Sequence, residues 1–280
     1  MFLARLLVLF SLVCISCAHS SFEQKQLKHA LDFATSNRLE LEILLQHYTY
    51  DSLKLEAAKF LIRNMPHCYS YQQGGEMDSV KRVRTYYSPF GQIDQTYARR
   101  WGHYTYRNLL KIYDAHIITA EYLIDNIDRA FDNWQKRPWN RSLSFEDFCE
   151  YLLPYRIGDE PLEEWRELYE KKYGYLLDSI YKGSDVVEAA NLVSRHLQEP
   201  VFIYCEDFEL PHIGPRYLFS HRYGSCVDAA DIVTYAFRAV GIPCMEDTDA
   251  RGGHVWNVVR DTTGRDVPIW YIACLLYTSD

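Results

Sequence analysis

The stretch RYGSCVDAADIVTYAFRAVGIPC, residues Arg222–Cys244, decides how the chain is read. A small-residue turn, Gly224-Ser225, leads into Cys226, and an apolar periodicity of helical spacing follows until Gly241-Ile242-Pro243 stops it. The spacing predicts an amphipathic helix with a thiol in its first turn. At a helix N-terminus the unpaired amides and the macrodipole favour a negative charge, which raises a thiol's thiolate population. A thiolate attacks an amide productively only if something protonates the departing nitrogen. His254, at the start of a predicted strand twenty-eight residues on in RGGHVWNVVR, is the candidate.

Outward from this stretch, VFIY (201–204) reads as a short strand, Pro211, Gly214 and Pro215 punctuate a loop, and RGGHVWNVVRDTTGRDVPIWYI reads as two strands joined by a turn at 261–264. The preceding part of the chain is helical. Apolar residues recur at helical spacing through 22–50 and 53–65, Pro66 ends the second run, and 109–131 reads as one long helix. Ser144 with Asp147 three residues on marks another helix start. A further helix is expected from Asp159 or Glu160 as cap, with Pro161 near its first position and a buried stripe of Leu162, Trp165, Leu168 and Tyr169. The fold class expected is α+β: a helical N-terminal region followed by a small mixed core.

A secretory leader precedes all of this. Arg5 supplies the positive start, LLVLFSLVCIS the apolar core, and Val13-Cys14-Ile15-Ser16-Cys17 resembles a bacterial lipoprotein signal, which makes Cys17 a lipidated membrane anchor. Cys14 departs from the leucine usual there, and a plain signal peptide cut near Ala18 or Ser20 is the alternative. The segments expected are a leader (1–17), a helical region (18–197), the core (198–273) and a tail (274–280). That tail, CLLYTSD, resembles translated adapter sequence, so the chain is expected to be truncated just past Ile272.

Composition narrows the chemistry. A formal charge of -8 without a dense Lys/Arg run argues against nucleic acid as partner. No Gly-rich phosphate loop and no HExxH is present, so neither cofactor nor metal is implied. Of eight cysteines, six remain outside the leader, at irregular spacing and without a CxxC pair; Cys205 with Cys244 is one possible disulfide. Asn140-Arg141-Ser142 matches a glycosylation acceptor that a bacterial lipoprotein would leave idle.

GSCVDAADIVTYAFRAVGIP followed by GGHVWNVV resembles the core of the transglutaminase-like superfamily, a papain-like Cys-His-Asp fold. Together with HYTYDSLKLEAAKFLIRNMPHCYSY and LLPYRIGDEPLEEWRE, it resembles exported bacterial proteins, often lipoproteins, that carry a helical region before such a core. The resemblance implies that Cys226 forms an acyl-enzyme on a protein or peptide substrate and that His254 serves as acid and base. It also implies an Asp on the next strand that orients the histidine, and here the match fails. The residue opposite His254 falls near Tyr271, and Asp266, opposite about Val259, lies on the order of 15 Å from the imidazole at strand rise. Asp266 is thus a weak candidate for the third member, which lies beyond the break, is replaced by another group, or is missing because the site is not catalytic.

The residues also allow plainer roles. Cys226 alone reads as a small core side chain and His254 as a satisfied strand histidine. Trp256 shares the His254 face and lines the site, and Asp228 reads as a helix-end carboxylate. The tyrosines at 69, 71, 86, 87, 97, 104 and 106 read better as packing than as a ligand groove. Two functions stay open. One is a cysteine peptidase, amidase or acyltransferase, with hydrolysis favoured because water is always available. The other is an inactive, surface-anchored protein of the same fold that binds a peptide or glycan.

Overall fold

The computed structural model describes residues 21–75, 77–78, 81, 109–199, 202–204, 211–250 and 253–269. Cys17, Cys205, the tyrosines from 86 to 106 and the tail after 273 lie outside the described residues. The protein is mixed helix and sheet, α+β. It divides into two compact units, residues 1–68 with 113–120 and residues 69–112 with 121–280. The segment boundary expected near 197 therefore falls inside the second unit. Among the described residues no helix is long and apolar enough to cross a membrane.

Among its described residues the first unit holds three α-helices: α1 (residues 21–33), α2 (Arg38–His47) and α3 (Ser52–Asn64). The periodicity through 22–50 is broken where Thr35 takes a left-handed φ of 51°. Asp51 caps α3 by accepting the Lys54 amide (3.1 Å), and Leu41, Leu44, Ala58, Leu61 and Ile62 are buried. The Asn37 amide donates to Ala115 O and Ile118 O (3.1 and 2.8 Å), fastening 113–120 to the start of α2.

Two short strands, β1 (Tyr69–Tyr71) and β2 (Lys111–Tyr113), come next in the chain. The segment 109–131 is thus not one helix. It is β2, a 3₁₀ turn at Asp114–His116, and only then α4 (Ala120–Lys136). Ser144 caps α5 (Phe145–Tyr151) as its sequence predicts, accepting the Asp147 amide at 3.0 Å. The cap expected at 159–160 does not form. α6 (Arg166–Tyr175) starts later, and Glu160 turns inward to accept the Ile157 and Gly158 amides (both 2.7 Å). α7 (Val186–Leu197) follows, capped by Asp185.

The remaining elements are β3 (Ile203–Tyr204), α8 (Pro215–Ser220), β4 (Tyr223–Gly224), α9 (Cys226–Val240), β5 (Cys244–Thr248), β6 (Val255–Arg260) and β7 (Asp266–Ile269). β3 pairs in parallel with β4, and β5-β6-β7 form an antiparallel sheet in that order. β5 is an element the sequence pattern hid: CMEDT offers no apolar alternation.

Helix α9 is the axis of this unit. Every residue from Asp228 to Val240 is buried, so it is not an amphipathic surface helix; α6 covers one side and the sheet another. Trp165, just before α6, and Tyr169 within it meet Tyr235 with ring centroids 5.1 and 5.7 Å apart. The helix ends at Gly241, whose φ of 82° suits glycine and whose missing Cβ leaves room for Asn133 O, 2.8 Å from where that atom would stand. Its carbonyl accepts from Trp139 Nε1 and Asn140 Nδ2 (both 2.9 Å), which commits the Asn140 amide to the interior and away from glycosylation.

Candidate functional site

Cys226 occupies the first helical position of α9 and is a half-buried free thiol packed against the core. Ser225 is the N-cap. The Asp228 carboxylate reaches back to accept the Ser225 amide (2.8 Å) and hydroxyl (3.2 Å), so Asp228 serves the helix end. Gly224 makes this turn possible: a Cβ there would stand 2.2 Å from Asp228 Oδ2 and 2.7 Å from its Cβ.

β6 runs parallel to α9, because one reversal at Gly241 and another after β5 separate them. The two are pinned by Asn257, whose amide donates to Ala230 O (3.1 Å) and Thr234 Oγ1 (2.9 Å). Three residues back along the strand is roughly 10 Å, and four back along the helix is roughly 6 Å. Both steps lead toward the same end, so His254 and Cys226 stand at a common end of the helix–strand layer. Strand alternation turns Val255, Asn257 and Val259 toward α9 and Trp256 and Val258 away. The His254 ring lies with Trp256, centroids 6.0 Å apart, on that outer side. The structure thus gives the two groups a common end of the layer, not a shared face.

Asp266 stands elsewhere. It pairs with Arg260, one register step from the Val259 expected, and six residues along β6 from His254, roughly 20 Å. Its carboxylate accepts the Tyr151 hydroxyl (2.9 and 3.1 Å) and faces Arg260 Nη1 at 3.3 Å. Burial first, and Asp266 second, push the Tyr151 phenol up to about 12. Asp266 is a strut of the sheet edge.

A buried polar stripe on α9 holds what the pattern concealed. Asp228, Asp231, Thr234 and Arg238 recur at helical spacing, as a solvent face would, yet all are buried. The Asp231 carboxylate faces His212 Nδ1 at 2.9 and 3.0 Å. Burial works against a charged imidazole there, but the Asp231 charge and hydrogen bond outweigh it and hold His212 up at about 11, with Glu160 and Glu246 adding to the effect. His212 also donates its backbone amide to Asp159 Oδ1 (2.9 Å), and its ring fills the space a Cβ on Gly158 would need. Glu246 of β5 accepts the Thr234 hydroxyl at 3.2 Å. Burial and then the Asp231 charge push its carboxyl well above the usual range. The cluster thus sets the His212 imidazole against two buried carboxyl groups, Asp231 and Glu246, both pushed up chiefly by burial. Asp231, with PHIGP upstream, was readable as charge only; nothing in the sequence marks it as covered.

Cys244 is a free, buried thiol, pushed up to about 12 by burial, and receives the Asn257 amide at 3.7 Å; it is not bonded to Cys205. Among the described residues no group of three His, Cys, Asp or Glu side chains is placed to hold a metal ion. No protein family, curated protein or solved structure matches the chain.

Proposed function

We propose that the protein is a transglutaminase-like thiol enzyme that hydrolyses or transfers an amide of a protein or peptide substrate. The observation that carries this reading is the placement of Cys226 at the first position of α9, at the same end as His254 through the Asn257 link between α9 and β6. Cys226 Sγ attacks the carbonyl carbon, the C–N bond breaks, and His254 delivers a proton to the departing nitrogen. Water, activated by the same imidazole, then cleaves the thioester and regenerates the thiol. Export and anchoring through a lipid on Cys17 complete the proposal and place the substrate in the cell envelope.

The engagement of Asp266 by Tyr151 and Arg260, with the His254 ring on the Trp256 side, favours a second reading, an inactive binding protein of the same fold. Release of amine from a peptide-amide library separates the two. Cys226→Ala and His254→Ala each abolish release if the first reading holds; activity in Cys226→Ala equal to wild type would sink it.

A further inference from the structure

Five arginines of the described residues are buried: Arg137, Arg156, Arg166, Arg222 and Arg238. Four are answered from within. Arg137 reaches Val240 O (2.7 Å) and Asp178 (2.8 Å), and Arg156 engages Glu160. Arg166 donates to Asn126 and to the carbonyls of Leu152, Leu153, Pro154 and Arg238, and Arg238 to those of Tyr151, Cys244 and Arg156.

Arg222 differs. It is 5 % exposed and donates one bond, from Nη2 to the Tyr173 hydroxyl (2.7 Å); its Nε and Nη1 have no acceptor among the described residues. A second cation, Lys172, is near: its ammonium sits over the Tyr173 and Phe219 rings at 5.3 and 4.7 Å, and burial, then the Arg222 charge, lower its proton affinity. An unanswered buried donor costs about 1–3 kcal/mol, and a buried charge without a counter-ion costs more. Arg222 also stands three residues before Ser225, the cap of α9, whose positive end adds to the same field. Arg222 thus combines open buried donors with a neighbouring ammonium and stands just ahead of a helix N-terminus in the chain, a set of groups that suits an anion.

We propose that Arg222 anchors a carboxylate of the bound ligand at the N-terminal end of α9. The proposal deepens the acyl-transfer reading, on which its place in a substrate site rests. It makes the substrate a peptide presenting either its C-terminal carboxylate or an acidic side chain near the bond acted on.

The test is calorimetric titration of the full chain carrying Cys226→Ala, which separates binding from chemistry. The probes are N-acetyl-Ala-Ala, its C-terminal amide, and N-acetyl-Glu amide. At least one carboxylate probe is expected to bind, with the neutral amide at least tenfold weaker, and Arg222→Met to erase that preference. The stronger carboxylate probe identifies which source of the group is used. Ligand-free Arg222→Met is also expected to melt at or above the parent's midpoint, because it removes a buried charge that only the Tyr173 hydroxyl answers. Equal binding of the neutral amide, no binding of either carboxylate probe, or an Arg222→Met chain that melts several degrees lower or fails to fold would each overturn the proposal. Carboxylate binding without amine release in the wild type would leave the site standing and remove the catalytic reading.

Discussion

Asn257 Nδ2 stands 3.1 Å from Ala230 O and 2.9 Å from Thr234 Oγ1, and this one amide fixes the register of β6 on α9. Asn257→Leu keeps the branched shape of the side chain and loses both bonds. It is expected to cost about 1–3 kcal/mol in urea unfolding and to weaken the dependence of Cys226 reactivity on His254. An unchanged midpoint would show that packing alone holds the strand.

The His212–Asp231 pair makes a prediction in pH. The folded value for His212, about 11, lies above the unfolded 6.5, so its contribution is fully present below pH 6.5 and is lost as pH rises toward 11. His212→Asn strands a buried carboxylate and should cost about 3 kcal/mol at pH 6, the gap to wild type closing at high pH. Adding Asp231→Asn should recover much of the loss; strictly additive costs would mean the two groups are not coupled.

Glu246 titrates in the same sense. Its folded carboxyl lies above the unfolded 4.5, so its contribution is complete below that pH and declines as pH rises through the folded value. Glu246→Gln should flatten the fall of stability that the wild type shows as pH rises above 4.5. Parallel profiles for the two proteins would assign the proton elsewhere.

At Gly241 a side chain meets both a left-handed φ of 82° and Asn133 O. Gly241→Ala is expected to lose about 1–3 kcal/mol in the thermal or urea midpoint, and a neutral result would mean that the α4–α9 contact yields easily.

What could be read from the sequence is uneven for physical reasons. The Ser144 cap, the Pro66 stop, the Gly241 stop and the turn at 261–264 were legible because each is set by local backbone chemistry. β5 was not, since Cys244–Thr248 is read by its neighbours in the sheet and not by its own alternation. The burial of the stripe Asp228, Asp231, Thr234 and Arg238 was not legible, because periodicity reports spacing and not what covers it. Glu160 looked like a cap because Pro161 follows it as a first helical residue would, yet it turns inward to the Ile157 and Gly158 amides. Of the site, the sequence placed Cys226 at its helix end and His254 before its strand. The side of the sheet the His254 ring takes depends on strand alternation set by Asn257, which only the packing reveals.

The most direct measurement is the rate of iodoacetamide labelling of the Cys226 peptide against pH, by mass mapping, in wild type and His254→Ala. The account predicts labelling about tenfold slower in the variant than in the wild type at the same pH. Identical profiles in the two proteins, both following a free cysteine, would contradict a Cys226–His254 pair.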